Sequence, residues 1–435
     1  MAIEPKTLQG FRDLLPELMA PRQAMIRAIE ATFEAHGFAP LQTPALEYLE
    51  VLAGKYGDEG DKLLYRFQDR GERHVALRYD LTVPLARVVA QHRGVLQMPF
   101  RRYQIAPVWR ADRPQRGRFR EFYQCDADIA GVDSAMADAE VLSTGLGVLR
   151  ALGVEGARLH LNHRDVLFGL LEAEGVTDHA LQVACIRAID KLDKESPAKV
   201  RAEMLATTGH GEATVDAVLQ VFLAGHDVGT LRARAGERLA AACARIEQVL
   251  ALVEAAGFGG KIVFDPTIAR GLDYYTGIVY ETRLTDPKVA GVGAVMSGGR
   301  YDGLIGLFCG QTIPAVGISL GLDRLLAALQ ELGLVAGHAA AQVYATVFAP
   351  EQGGAMLEHA ARLRAAGLSV ELDLAGGKLG KQLERASKRG ARVALVAGPD
   401  EVAAGAVTVK DLRAGQQQQV TAADLIAAVT QIVGE

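Results

Sequence analysis

An α+β fold is the architecture this sequence predicts: a strand-rich domain interrupted by a helical insertion, followed by a small α/β domain. Three observations carry that reading. Residues 64–131 and 262–325 are strand-rich zones, whereas from about 165 to 256 the apolar spacing becomes helical. Beyond residue 342 short apolar runs alternate with helical stretches over about 95 residues, the texture of an α/β unit. The boundaries expected are therefore 1–330 for the first domain with its insertion, 331–342 for a linker, and 343–435 for the second domain.

The elements follow in order. Met25, Ile29 and Phe33 give residues 19–36 a helical stripe that stops at Gly37, and "FAPLQTPALEYLEVL" reads as a strand broken by prolines. In "ALRYDLTVPLARVVAQH" a strand passes at Asp80 into a helix opened by Thr82. "MPFRRYQIAPVWRADRPQRGRFREFYQCDADIAG", 98–131, reads as two strands joined by a polar loop. Gly-His pairs near 209–211 and 225–226 punctuate the helical insertion. From Leu272 a strand is expected with Tyr274, Thr276, Ile278 and Tyr280 on one face, and Arg270 on that face if the extension runs back to it. "PAVGISLGLDRLLAALQEL" is a strand entering a helix at about Asp323. The second domain offers strands at "VYATVFA", "LSVELDL", "ARVALVAG" and "AVTVKDL", helices at 353–366, 378–389 and 421–433, and a turn at the glutamine run 416–419.

Bulk composition narrows the function. The 435 residues are 49% hydrophobic and 23% charged, which is ordinary for a globular chain of roughly three domains. There is no run of about 18 apolar residues and no N-terminal leader pattern, so a cytoplasmic protein without membrane contact is expected. Cys125, Cys185, Cys243 and Cys309 form no C-x-x-C pair, which argues against a disulfide framework or a structural zinc. A net charge of −5 excludes broad nonspecific nucleic-acid binding but leaves room for a local basic stripe.

Several constellations point to chemistry. On the second strand of 98–131, Arg120, Phe122, Gln124, Asp126 and Asp128 share one face, and Glu121, Tyr123, Cys125, Ala127 and Ile129 the other. The connecting loop sets Arg110, Arg113, Arg116, Arg118 and Arg120 against Asp112 and Glu121, an electropositive hairpin suited to phosphates. Asp80 and Thr82 either cap the helix they precede or hold an ammonium group; spacing does not choose between them. Gly317, Ser319 and Gly321, at i, i+2 and i+4, leave either a flat slot for a planar ring or a close helix-on-strand contact, with Arg324 at its edge. "SGGRYDGL", 297–304, adds a glycine turn with Arg300. No G-x-x-x-x-G-K-[ST] or strand-linked G-x-G-x-x-G occurs, which excludes those two nucleotide folds. His160 and His163 lack partners at metal spacing and read as structural, and no metal site is expected.

Together and in this order the pieces resemble the histidyl-tRNA synthetase family of class II aminoacyl-tRNA synthetases, over nearly the whole chain. "FRRYQIAPVWRADRPQRGRFREFYQCDADIAG" is similar to the family's motif 2, "PAVGISLGLDRLL" to motif 3, "FAPLQTPALE" to the dimer-forming motif 1, and "RGLDYYTG" to its histidine-specific signature. The last 95 or so residues resemble its anticodon-binding domain. The resemblance implies an antiparallel six- or seven-stranded catalytic sheet, a homodimer, and the substrates L-histidine, ATP with Mg²⁺, and tRNA(His). It places the α-ammonium of histidine near Asp80, Thr82 and Gln124, and the imidazole between Asp128 and Tyr274, with Tyr275 lining the pocket. Arg270 and Arg110 fall on the α-phosphate, Arg324 on the distal phosphates, and Gly317, Ser319 and Gly321 under adenine. Arg113, Arg116, Arg118, Lys378, Lys381, Arg385, Lys388 and Arg389 fall on tRNA. Motif 2 here reads Arg110-Ala111-Asp112 where glutamate is usual, and Asp323, Asp80 and Asp128 stand where many members have glutamate. The alternative implied is the synthetase-like regulatory subunit of ATP phosphoribosyltransferase, a non-catalytic relative that typically lacks the last domain and the catalytic arginines.

Overall fold

A computed structural model describes residues 3–115, 117–193, 195–209, 211–225, 227–233, 236–269, 274–335, 341–347, 351 and 353–434. The chain divides into two compact units, Met1–Asp13 with Ala24–Val335, and Leu14–Gln23 with Ala336–Glu435. No described helix is long and apolar enough to cross a membrane.

The strands of the first unit are β1 (Ala39–Pro40), β2 (Leu46–Tyr48), β3 (Arg66–Gln68), β4 (His74–Leu77), β5 (Phe100–Trp109), β6 (Glu121–Ala130), β7 (Ala157–His163), β8 (Ile262–Phe264), β9 (Ile278–Leu284), β10 (Met296–Arg300) and β11 (Ala315–Gly321). Eight of them form one sheet in the order β1-β5-β6-β11-β10-β9-β7-β8, and β2-β4-β3 make a small second sheet. The large sheet is antiparallel from β5 to β7 and parallel at both edges, where β1 meets β5 and β8 meets β7. The expected six- or seven-stranded antiparallel sheet thus becomes eight strands, because two short edge strands are drawn alongside β5 and β7.

Alternation along β6 decides what lies on each side. Cys125, Ala127 and Ile129 enter the apolar core with Ile318 and Leu320 of β11, covered by Val141, Leu142, Leu146 and Leu149 of the helix Ala135–Ala151. Burying each such leucine contributes about 1.5–3 kcal/mol. Ile246 and Val249 on the insertion helix Glu237–Val253 join the same core. The helices Arg164–Ala173, His179–Ile189, Pro197–Thr208, Glu212–Leu223, Val228–Arg232 and Glu237–Val253 lie in the chain between β7 and β8, so the insertion is bracketed by a parallel strand pair.

One local reading changes. Tyr274 lies in a turn and β9 begins only at Ile278, so the tyrosine pair precedes the strand instead of alternating along it. A backbone bend here lets both rings turn toward one site. His160, read as structural, sits on β7 with its Nδ1 2.9 Å from Asp265 Oδ2, and His163 accepts the Asp165 N–H at the start of the next helix.

In the second unit β12 (Val343–Ala345), β13 (Val370–Leu372), β14 (Val393–Val396), β15 (Ala406–Asp411) and β16 (Gln417–Thr421) form a sheet ordered β13-β12-β14-β15-β16. The pairs of β12 with β13 and β14 are parallel, and the rest are antiparallel. Gln417–Thr421 is therefore a strand and not the expected turn. It is an exposed edge strand, so polar glutamines meet no burial cost there. Helices Gly353–Ala365 and Leu425–Gly434 supply Met356, Ala360, Leu363, Leu425 and Val429 to this unit's core.

Candidate active site

The polar face of β6 is buried rather than solvated, and the strand register dictates its neighbours. Asp128 stands opposite Arg102 of β5 and Gly317 of β11, Asp126 opposite Gln104 and Ser319, and Gln124 opposite Ala106 and Gly321. A Cβ added at Gly317 would lie 1.7 Å from Asp128 Oδ1, so the glycine exists to admit that carboxylate. The two readings of the small-residue strand therefore separate: position 317 makes room for Asp128, while Ser319 and Gly321 border open space.

Around Asp128 and Asp80 a pocket of phenols and carboxylates is assembled. Asp80, 1% exposed, accepts Tyr56 Oη–H (3.1 Å) and the Val83 N–H (3.0 Å) on Oδ1, and Tyr274 Oη–H (3.2 Å) on Oδ2. The capping reading of Asp80 holds at one oxygen, which receives a first-turn N–H of the helix Thr82–His92, while the other faces the tyrosine pair. Thr82 hydrogen-bonds Tyr274 from the same turn. Asp128, 3% exposed, accepts Tyr301 Oη–H at 2.5 Å and is ion-paired with Arg102 at 2.8 Å. Tyr274 lies 5.0 Å from Tyr275 and 6.0 Å from Tyr301 between ring centroids. Burial raises the pKa of Asp80 and Asp128 above the ordinary carboxylate value, opposed by the Val83 N–H and Arg110 at Asp80 and by Arg102 at Asp128. Burial likewise holds Tyr274 and Tyr275 well above a free phenol, so both are neutral hydrogen-bonding groups.

Beside this pocket lies a cavity of about 140 Å³ bordered by Arg110, Phe122, Gln124, Ser319, Gly321 and Arg324, among others. Arg110 is aimed by its Nε, which donates to the Tyr79 carbonyl at 3.0 Å, and by the rings of Tyr79 and Phe122, 4.2 and 5.2 Å from its guanidinium carbon. Arg324 Nη1 donates to the Ala294 carbonyl at 2.6 Å. Gln124 Nε2 donates to Ser319 Oγ at 2.9 Å and its Oε1 is buried without a partner, so the amide links pocket and cavity. Asp323 is occupied by Arg12 (2.6 Å) and the Tyr123 N–H (2.8 Å). Arg118 also borders the cavity and pairs with Asp112 at 3.1 Å, whereas Arg113 is exposed. Two phenylalanines, 119 and 122, and three guanidiniums, of Arg110, Arg118 and Arg324, in one cleft suit a stacked base with phosphates.

Arg270 and Arg116 lie outside the described residues. The structure brings together Asp80, Thr82, Gln124, Asp128, Tyr274, Tyr275, Gly317, Ser319, Gly321, Arg110 and Arg324. It adds Arg102, Asp126, Tyr56 and Tyr301, which had no assigned role. Asp126 carried a signal, as a carboxylate alternating with Gln124 and Asp128 on one strand face, and Tyr301 a weaker one as the neighbour of Arg300 in "SGGRYDGL"; Arg300 itself is bound to buried Asp138 at 2.6 Å and acts structurally. In the second unit Lys378 and Lys381 are exposed at the start of the helix Leu379–Lys388. Arg385 on that helix is held by Asp373 (2.6 Å) and the Gly376 carbonyl (2.6 Å), Lys388 pairs with Glu384 (2.7 Å), and Arg389 pairs with Glu371.

A sheet antiparallel from β5 to β7 carries an arginine-flanked cleft beside an acidic, phenol-lined pocket, and a separate α/β unit follows in the chain, an arrangement in keeping with the class II synthetase fold. The family model described as histidyl-tRNA synthetase matches residues 10–325, and one described as an anticodon binding domain matches 342–432. The histidine–tRNA ligase of Rhodopirellula baltica is 44% identical over 96% of this chain and 96% of its own. That of Aeropyrum pernix is 40% identical over 99% and 98%. The crystal structure of histidyl-tRNA synthetase from Nostoc sp. PCC 7120 superposes with a TM-score of 0.88 at 32% identity, covering 99% of this chain and 100% of that one. The chain belongs to the histidyl-tRNA synthetase family.

Proposed function

We propose that the chain is a histidine–tRNA ligase: it activates L-histidine with ATP to histidyl-adenylate and pyrophosphate, then transfers the histidyl group to the 3′-terminal adenosine of tRNA(His). The observation that carries this is the adjacency of the Asp80–Asp128–Tyr274 pocket to the Arg110–Arg324 cleft, bridged by Gln124. The ammonium group of histidine lies against Asp80, Thr82 and Gln124, and the imidazole between Asp128 and the tyrosine pair. Paired polar groups of this kind reject a side chain unable to satisfy them by ~10⁴-fold.

ATP enters as its magnesium complex, the ion riding on the phosphates. Adenine stacks in the cleft beside Phe122 over Ser319 and Gly321, Arg324 takes the distal phosphates, and Arg110 takes the α-phosphate, joined by Arg270. The histidine carboxylate attacks that phosphorus and pyrophosphate leaves. Charge develops on the α-phosphate oxygens in the transition state, where fixed guanidiniums act most strongly. No covalent enzyme intermediate is required, because positioning and charge suffice.

The tRNA contacts are Arg113, Arg116 and Arg118 on the loop of 110–120 and Lys378, Lys381, Arg385, Lys388 and Arg389 in the C-terminal unit. Lys378 and Lys381 offer their ammonium groups to phosphate directly, whereas Arg385 contributes chiefly by holding the helix through Asp373. The chain works in the cytoplasm as a homodimer. Both the retained arginine cleft and the match to an anticodon-binding domain speak against the regulatory-subunit alternative. The test is ATP-dependent charging of tRNA with labelled histidine. Acid-precipitable histidyl-tRNA supports the reading, and histidine binding without charging would favour the regulatory relative.

A further inference from the structure

The acidic pocket holds a carboxylate that the proposed chemistry does not use. Asp126 lies on the polar face of β6 between Gln124 and Asp128, is 1% exposed, and its Oδ1 has no hydrogen-bond partner. The groups facing it are Arg102 and Gln104 from β5, Asp128 and Gln124 from β6, Ser319 from β11, Asp80 and Arg78 from the segment before the helix Thr82–His92, and Tyr275. Gln104 is committed to Thr43, its Nε2 donating to Thr43 Oγ1 at 3.2 Å. Ser319 accepts from Gln124 and hydrogen-bonds the Asp126 carboxylate. Arg78 bonds the Thr43 and Pro107 carbonyls, and Arg110 bonds that of Tyr79. The cation ion-paired within the trio is Arg102, fully buried, whose Nε and Nη1 are themselves without hydrogen-bond partners.

Asp80, Asp126 and Asp128 therefore bring three buried carboxylates together against one paired guanidinium. If all three ionise, Arg102 answers Asp128 and Arg110 bears on Asp80 from the cleft side, so among the described residues Asp126 is left without an ion pair of its own, a costly state unless a ligand neutralises it. A zwitterionic amino acid with a neutral side chain brings only one positive charge to this end of the site. Histidine with its imidazole protonated brings two.

We propose that L-histidine is held in its imidazolium form and that Asp126 is the counter-charge that decides this. The proposal rests on the histidine reading given above. It makes recognition proton-linked. Above pH 8 the proton comes from solvent and forms the second imidazole N–H. Near neutrality the free site can supply it: burial, with Asp128 and Asp80 adding and Arg102 opposing, pushes Asp126 up to about 8, so its carboxyl O–H breaks as the imidazole N–H forms. Asp126 is thus a specificity residue that acts through charge.

The test is calorimetric titration of the whole protein with L-histidine at pH 6.5 and 8.5, each in two buffers of different ionisation heat. The wild type is expected to take up about one proton per site at pH 8.5, and D126N far less. In parallel, the wild-type KM for histidine in pyrophosphate exchange should rise by up to about tenfold per pH unit above pH 8, and that of D126N should change less. Equal proton uptake by the two proteins would overturn the proposal. Should D126N not fold, absence of uptake by the wild type alone at pH 8.5 would do the same. Binding of histidine without a proton refutes the role of Asp126 and leaves the histidine reading standing; no binding at any pH removes both.

Discussion

Gly317→Ala probes the packing on which the amino-acid pocket depends. The added Cβ would sit 1.7 Å from Asp128 Oδ1 and 2.5 Å from its Cγ. Ordinary contact between such atoms is about 3.5 Å, so the carboxylate must move by roughly 1.5–2 Å. Oδ1 is the oxygen that receives the Tyr301 hydroxyl, and Oδ2 the one paired with Arg102, so neither contact survives such a shift. Losing a hydrogen bond to a charged group costs about 1.5–3 kcal/mol, and crowding a packed site adds about 1–3 kcal/mol, part of it shared with overall stability. At about 1.4 kcal/mol per tenfold, the KM for histidine should rise by about 10- to 100-fold. The KM for ATP should change by no more than about threefold, because Gly317 is not among the residues bordering the nucleotide cavity. Pyrophosphate exchange with each substrate varied in turn measures both. An unchanged histidine KM, or an equal rise for ATP, would refute the assignment of Asp128 to the amino-acid pocket.

Other substitutions test separate parts of the site. Arg110→Ala should slow adenylate formation on the order of 10²-fold in single-turnover measurements while histidine binding persists, as its proposed place on the α-phosphate requires. Tyr301→Phe removes one donor to Asp128 and should raise the histidine KM by about tenfold with little effect on ATP, read in the same exchange assay. Exchanging Lys378 and Lys381 for alanine should weaken tRNA binding and flatten its salt dependence without altering tRNA-free exchange, as filter binding at several salt concentrations would show. For stability the sign follows from burial: the folded-state pKa of Asp126, about 8, lies above the ordinary 3.8, so its favourable share is full at acid pH and lost as pH rises through 8. Asp126→Asn should therefore stabilise the ligand-free protein by about 1–3 kcal/mol at pH 9 relative to its effect at pH 6, measured by urea unfolding.

Much of this was legible in the sequence, for identifiable reasons. Period-two alternation along residues 121–130 separated the apolar face of Cys125, Ala127 and Ile129 from the polar face of Gln124, Asp126 and Asp128. Whether that polar face met solvent or a pocket could not be read, because burial depends on strands far away in the chain. Arg102 illustrates the gap: it reaches Asp128 through the β5–β6 register, a pairing with no local signature. The small-residue run 317–321 was visible, yet only the approach of Asp128 ties Gly317 to that carboxylate and leaves Ser319 and Gly321 to the cavity. Tyr274 and Tyr275 stood out in the sequence as a pair, and their rings lie 5.0 Å apart, but their presentation from a turn, ahead of β9, came from backbone geometry that alternation does not encode. The glutamines of β16 mislead for the opposite reason, since an exposed edge strand imposes no apolar pattern.

The central claim is histidine-dependent adenylate formation, and ATP–pyrophosphate exchange without tRNA tests it most directly, with each of several amino acids supplied in turn. Exchange with histidine, and none above background with the others, is the predicted result. No exchange while histidine still binds would contradict it and make the tyrosine-lined pocket that of a sensor.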